Sequence, residues 1–204
     1  MKSAGVFIAV ALFVVACGSG PGSATSPKPP SALVVFTTWV ADAKVTNGPE
    51  PGYKPAFTGL TGHDIQSASP IIDSTGMAWF VNLSFTQRGA NLFAKLTRDN
   101  VGACPGDPNT SLNANCAGRH LTIWFDLTQA DIDNWDDPTY VTKVSQPYDL
   151  LCLQRPLPTT VCAKFLSDPI TLQEINGGSA VIGCACTQQG ARELADAINS
   201  EGHS

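Results

Sequence analysis

Two stretches of this chain, about a hundred residues apart, spell the same local structure. Trp79 to Phe85 runs into Thr86-Gln87-Arg88-Gly89-Ala90, and Val181 to Cys186 runs into Thr187-Gln188-Gln189-Gly190-Ala191. Each reads as a strand, a threonine N-cap and an amphipathic helix. A threonine hydroxyl at that position accepts a bond from an otherwise unpaired amide of the first helical turn. Past it, Ala90, Phe93 and Ala94, and later Ala191, Leu194, Ala195 and Ile198, recur at helical spacing. Hairpin turns precede both strands, at Ser74-Thr75-Gly76 and Asn176-Gly177-Gly178. Two hairpin–helix units predict an α+β fold, with an antiparallel sheet carrying two helices on one face. A ferredoxin-like arrangement satisfies that pattern.

The remaining segments are read more coarsely. Leu33 to Val45 opens as a strand, and Gly48 to Gly59 is turn-rich, with Pro49, Pro51 and Pro55. Arg119 to Leu127 is a strand, and Thr128-x-x-Asp131 starts a short helix. Asp136 to Phe165 carries four prolines and reads as irregular, part of an insertion over about 128–165. Ser167 to Leu172 is a further strand.

The N-terminus addresses location. Lys2 precedes an apolar run from Val6 to Val15, and Val14-Val15-Ala16-Cys17 follows the order of a cleaved export signal. The run is shorter than the ~20 apolar residues a spanning helix needs. Val-Val-Ala-Cys resembles the lipobox of bacterial lipoproteins, which implies lipidation of Cys17 and anchoring to the cell membrane. Residues 1–16 are then a signal peptide. Residues 17–30 are a Gly/Ser/Pro tether too poor in apolar groups to fold, reaching at most about 40 Å at ~3.3 Å per residue. Residues 31–204 form one extracytoplasmic domain. The net charge of −5 and the lack of a basic run exclude nucleic acid as a partner.

Of seven cysteines, six remain once Cys17 is set aside. An even number in an exported chain points to disulfides. Cys104 and Cys116 bracket one polar loop, and Cys152 and Cys162 another, so local bridges are one solution. Cys184 and Cys186 lie two apart in a strand, share a face and are poorly placed to bond each other. A second solution has Cys152 and Cys162 each crossing to that pair. A third use of Cys184 and Cys186 is thiol-redox or metal chemistry, though no Cys-x-x-Cys and no histidine at ligand spacing accompanies them.

No catalytic set emerges, no cofactor is called for, and the chain reads as a non-enzyme. His63 lies at a turn, His120 alternates with core residues of a strand, and His203 lies in the terminal tail. Asp131, Asp133, Asp136 and Asp137 surround Trp135. Calcium takes several carboxylates, but the spacing is not that of an EF-hand, and a solvated helix end is the simpler reading. Trp135, Tyr140 and Tyr148 fit either an aromatic contact patch for a polypeptide or a small core of the insertion itself.

Several motifs, in order, resemble the head subdomain of the large extracytoplasmic domain of SecD, an accessory subunit of the bacterial Sec translocon. Thr61-Gly62-x-Asp64-Ile65 is similar to that family's T-G-x-D-L. Phe85-x-x-x-Gly89-Ala90-x-x-Phe93-Ala94-x-Leu96-Thr97 is similar to its F-x-x-x-G-A-x-x-F-A-x-L-T, with Asp99-Asn100 near its E-N. Leu121 to Asp126, Ser167 to Ile170, Asn176 to Gly183 and Thr187 to Ile198 resemble its later strands, turn and helix. The likeness spans roughly residues 57–200. About 40 residues between Asp126 and Ser167, and all the cysteines, depart from it. The resemblance implies a non-catalytic module that touches exported or unfolded polypeptides, beside the Sec machinery. An envelope lipoprotein that binds a glycan or another protein, with no export role, is the alternative.

Overall fold

The computed structural model describes residues 34–103, 116–149, 152 and 160–201. Cys17, Cys104 and His203 lie outside the described residues, as do residues 1–30, the expected signal peptide and tether.

Among the described residues, seven strands form two antiparallel sheets. The four-stranded sheet has the order β2-β1-β5-β6, built from β1 Val34–Ala41, β2 Tyr53–Thr61, β5 Thr122–Phe125 and β6 Phe165–Ser167. The three-stranded sheet has the order β3-β4-β7, from β3 Ile65–Ile72, β4 Trp79–Phe85 and β7 Ser179–Cys186. Two long helices, α1 Gln87–Ala103 and α4 Gln188–Glu201, follow β4 and β7. Two short ones, α2 Gln129–Asp133 and α3 Pro138–Val144, lie in the insertion. The α+β architecture is present, with the strands divided between two sheets. β3, β4 and α1 form the first hairpin–helix unit, whereas β6 and β7 fall in different sheets and β7 pairs with β4, so the second unit is a strand and helix without its expected hairpin.

The repeated word performs the same task twice. Thr86 Oγ1 accepts from Gly89 N at 3.1 Å, and Thr187 Oγ1 accepts from Gly190 N at 3.2 Å. The strands before these caps pair with each other, Val81 opposite Ile182 and Leu83 opposite Ala180. Val81, Leu83 and Phe85 alternate inward and meet Ala191, Leu194, Ala195 and Ile198 of α4 in one core. Phe93 of α1 stacks on Phe85 with centroids 4.8 Å apart, joining the same core. Val34, Phe36, Ile123 and Phe125 of the four-stranded sheet complete it.

The other face of the four-stranded sheet is covered by the insertion. Val35, Trp39 and Trp124 there pack against Ile132, Trp135, Val141 and Val144. Trp124 meets Trp135 edge to face at 5.5 Å, an arrangement favoured by the ring quadrupoles, and its Nε1 donates to Thr37 Oγ1 at 2.8 Å. This explains why β1 is buried on both sides. The Cys152–Cys162 disulfide lies within the same insertion, with Cys162 in the main core.

Two further segments differ from the sequence expectation. The proline-rich stretch before Thr61 forms β2, because β2 is an edge strand and Pro55 costs no ladder bond on its open side. Within the segment read as irregular, Pro138 opens α3 at its first position. There its missing N–H would have had no helical partner, and Asp137 caps the turn by accepting from Thr139 N and Tyr140 N.

Candidate functional site

The antiparallel order brings the β1–β2 loop, the start of β5 and the end of β6 to one end of the four-stranded sheet. Glu50, His120 and Asp168 meet there. His120 Nδ1 lies 2.5 Å from Asp168 Oδ2 and 3.6 Å from Glu50 Oε1. All three side chains are largely covered, with 11%, 22% and 18% exposure for His120, Glu50 and Asp168. Thr122 Oγ1 donates to the other oxygen of Asp168 at 2.5 Å.

The backbone around this group is fixed from several directions. Asn100 of α1 donates to the His120 carbonyl at 3.3 Å. Leu121 N donates to Pro169 O at 3.1 Å and Thr171 N to Arg119 O at 2.8 Å, so the two chain segments are zipped on both sides of His120. Burial raises the Glu50 carboxyl above its usual range; the His120 charge opposes the rise and the Asp168 charge adds to it. The cluster can hold a proton or a cation. It is not a hydroxyl–histidine–carboxylate relay, because Thr122 donates to the carboxylate and not to the imidazole.

A second joint gathers the motif residues. Asp64 is 1% exposed and accepts from Thr61 N at 3.1 Å. Its carboxylate pairs with Arg88 of α1, and its carbonyl accepts from Thr86 N at 2.8 Å. Phe85 N donates to Gly178 O at 2.9 Å, and Gly178 has φ +67°, which a residue bearing Cβ rarely adopts. Thr97 Oγ1 accepts from Ile175 N at 3.0 Å. Asp64, Thr97, Asn100 and Gly178 therefore tie β4 and α1 to the segments that pack on them, and their work is structural. His63 sits exposed on the turn beside them.

The aromatic residues of the insertion face inward. Trp135 is 1% exposed. Tyr140 donates to Asp131 at 2.6 Å, and Tyr148 stacks on Phe125 at 5.4 Å. They do not come together as one surface: Trp135 belongs to the insertion's core, while Tyr148 packs against the main one. Nor do the aspartates converge on a cation. Asp131 is buried, accepts from Thr128 N at 2.6 Å, and pairs with Lys164 Nζ at 2.7 Å. Burial pushes its carboxyl up, but the bonds from Lys164 and Tyr140 outweigh that and hold it below the usual range. Tyr140 is pushed above the ordinary phenol range by its own burial and by Asp131. Asp133, Asp136 and Asp137 are exposed.

Cys116 is disulfide-bonded, and Cys184 and Cys186 lie on β7. The sequence-based reading noticed His120 but neither of its acidic neighbours. The signal available was a carboxylate beside a turn proline at each place, Pro49-Glu50-Pro51 and Asp168-Pro169.

Open surface lies on the three-stranded sheet. Ser67 and Ser69, Asn82 and Ser84, and Ser179 and Val181 form cross-strand rows opposite to the core side, and Val181 is 37% exposed. One edge is closed: Asn199 of α4 accepts from Ala68 N at 2.7 Å and donates to Ala68 O at 2.9 Å, as a neighbouring strand would. On the other edge, β7 has no partner strand among the described residues.

Among curated proteins, none matches the sequence. Solved structures similar to this chain include two of SecDF. One, described as "Structure and function of a membrane component SecDF that enhances protein export", has 21% identity and a TM-score of 0.47 over 83% of this chain and 62% of that one. Another, "Crystal structure of SecDF in Super-membrane-facing form", has 19% identity and a TM-score of 0.44 over 83% of this chain and 19% of that one. The chain thus spans less than two thirds of the length of either. The model of the SecDF P1 head subdomain matches residues 54–201, a stretch that takes in the Asp64–Gly89 joint, both capped helices and two members of the His120 cluster, and this chain belongs to that family.

Proposed function

We propose that this chain is a lipid-anchored, extracytoplasmic, non-catalytic binding module that contacts translocating or newly exported polypeptides. The observation that carries the proposal is the family match over residues 54–201. Residues 1–16 serve as the signal peptide, 17–30 as lipidated cysteine and tether, and 31–204 as the binding domain. No described helix is long and apolar enough to cross a membrane. The part of the family's task assigned here is recognition.

The β7 edge is the contact we assign. An extended chain adds to an unpaired strand through its backbone, so affinity does not depend on one sequence. The flanking row of serines and asparagine leaves room for varied side chains, and Val181 gives apolar contact. The insertion does not supply this surface, since its Trp135 is spent on its own core.

The test is retardation of aggregation of several reduced, unfolded clients by the full-length protein, alongside Val181→Lys. Suppression by the wild type and its weakening in the variant is the expected result. No effect on any client at several-fold excess overturns the proposal. An affinity pulldown that recovers one envelope protein or glycan, without exported chains, replaces it with the alternative reading.

A further inference from the structure

We propose that Glu50, His120 and Asp168 form a binding site for one divalent cation of the zinc class. The site does not depend on the polypeptide-binding reading. One ligand atom from each residue lies within 4.8 Å of the others. Tetrahedral zinc with bonds of ~2.0–2.2 Å sets its ligand atoms about 3.3–3.5 Å apart. The Glu50–His120 separation of 3.6 Å already matches that spacing. The His120–Asp168 pair, at 2.5 Å, must open by about 1 Å for the ion to replace the shared proton.

Charge argues in the same direction. Two ionised carboxylates beside one imidazole concentrate negative charge at this end of the sheet. A divalent ion offsets that charge directly. The supporting bonds suit metal ligation. Thr122 holds Asp168 Oδ1, which orients the carboxylate and leaves Oδ2 turned to His120. Outer bonds of this kind fix ligand orientation in metal sites. The His120 backbone is held by Asn100 and by the zipped 119–121 and 169–171 segments, so the ligands sit on a rigid frame.

The donor set selects the ion. An imidazole beside two carboxylates suits zinc, cobalt or nickel better than calcium or magnesium, which prefer all-oxygen shells, and the lack of a thiolate disfavours copper(I). Three protein ligands leave a fourth position for water.

The test uses the full-length protein with disulfides intact, freed of metal with EDTA. Titration with zinc should show one saturable equivalent and a rise in Tm, with calcium unable to compete. Cobalt should give visible bands without the near-ultraviolet absorption of a thiolate ligand. His120→Ala should abolish the equivalent, and Asp168→Asn should weaken it by at least about tenfold. If His120→Ala does not fold, Glu50→Gln in the β1–β2 loop reads the same loss. Failure of zinc to saturate, binding unchanged in these variants, equal binding of calcium, or a thiolate band in the cobalt spectrum would overturn the proposal.

Discussion

A Cβ placed on Gly89 would fall 2.9 Å from the Cβ of Asp64 and closer still to its carbonyl oxygen. The first turn of α1 thus rests directly on the turn that leads into β3. The contact is between backbone and backbone, so neither side yields by rotating a side chain.

Gly89→Ala should therefore destabilise the domain by about 1–3 kcal/mol through overpacking. Helix propensity alone predicts the reverse, a gain of roughly 1 kcal/mol. Gly102→Ala, where a Cβ meets nothing within 4 Å, should be neutral or slightly stabilising. Urea midpoints at constant m separate the two. A Gly89 variant as stable as the wild type would remove the close-packing argument.

Lys164→Met should cost about 3–5 kcal/mol, since it strands Asp131 as an uncompensated buried charge. The pH dependence follows from the depressed Asp131 carboxyl. A group whose folded pKa lies below its unfolded one stabilises fully above the unfolded value of about 3.9. That contribution is withdrawn as pH falls from there through the folded value. The wild type should lose stability on acidification in this window, and the variant should lose less. Equal acid slopes for both proteins would contradict the assignment.

Trp135→Ala should cost about 3–5 kcal/mol, as for other buried aromatic residues reduced to alanine. Trp135→Phe should cost less, because the ring contacts with Trp39 and Trp124 survive in part. Thermal unfolding measures both. A fully stable alanine variant with weakened client binding would return Trp135 to the role of surface contact.

Asn199→Ala should cost about 1–3 kcal/mol, because it leaves the Ala68 N–H and C=O without their side-chain partner. It also reopens the β3 edge, and an open edge templates pairing with other chains. Sedimentation across a concentration series should show self-association in the variant and not in the wild type.

Removing the Cys152–Cys162 bond by paired serine substitution should lower stability by about 2–3 kcal/mol, given the short loop of sequence separation 10. Denaturant midpoints under non-reducing conditions test this.

The two strand–cap–helix units were legible because threonine caps and periodic alanine, leucine and phenylalanine are local signals, while the pairing of β7 with β4 instead of a preceding hairpin strand was not. β2 was not, since Pro55 reads as a breaker until the strand order shows it at an edge. α3 was hidden for a similar reason, because Pro138 stops a helix in mid-course but starts one at its first position. The His120 cluster lay beyond local reading altogether. Asp168 is 48 residues from His120, and only strand pairing brings them together. Trp135 illustrates a different limit: an aromatic residue among aspartates has the same pattern on a surface patch as on the inner side of a short covering helix. What decides is the second apolar face of β1, with Val35 and Trp39 demanding a cover.

The placement of β1 has a mechanical consequence. It is the first described strand, and it lies between β2 and β5, antiparallel to both. Ladder bonds run perpendicular to the strands. A pull on the N-terminal side along the axis of β1 therefore loads two rows of bonds in shear, all at once, instead of peeling them one by one. Force applied at that end thus meets a strand that yields only when both rows give way together.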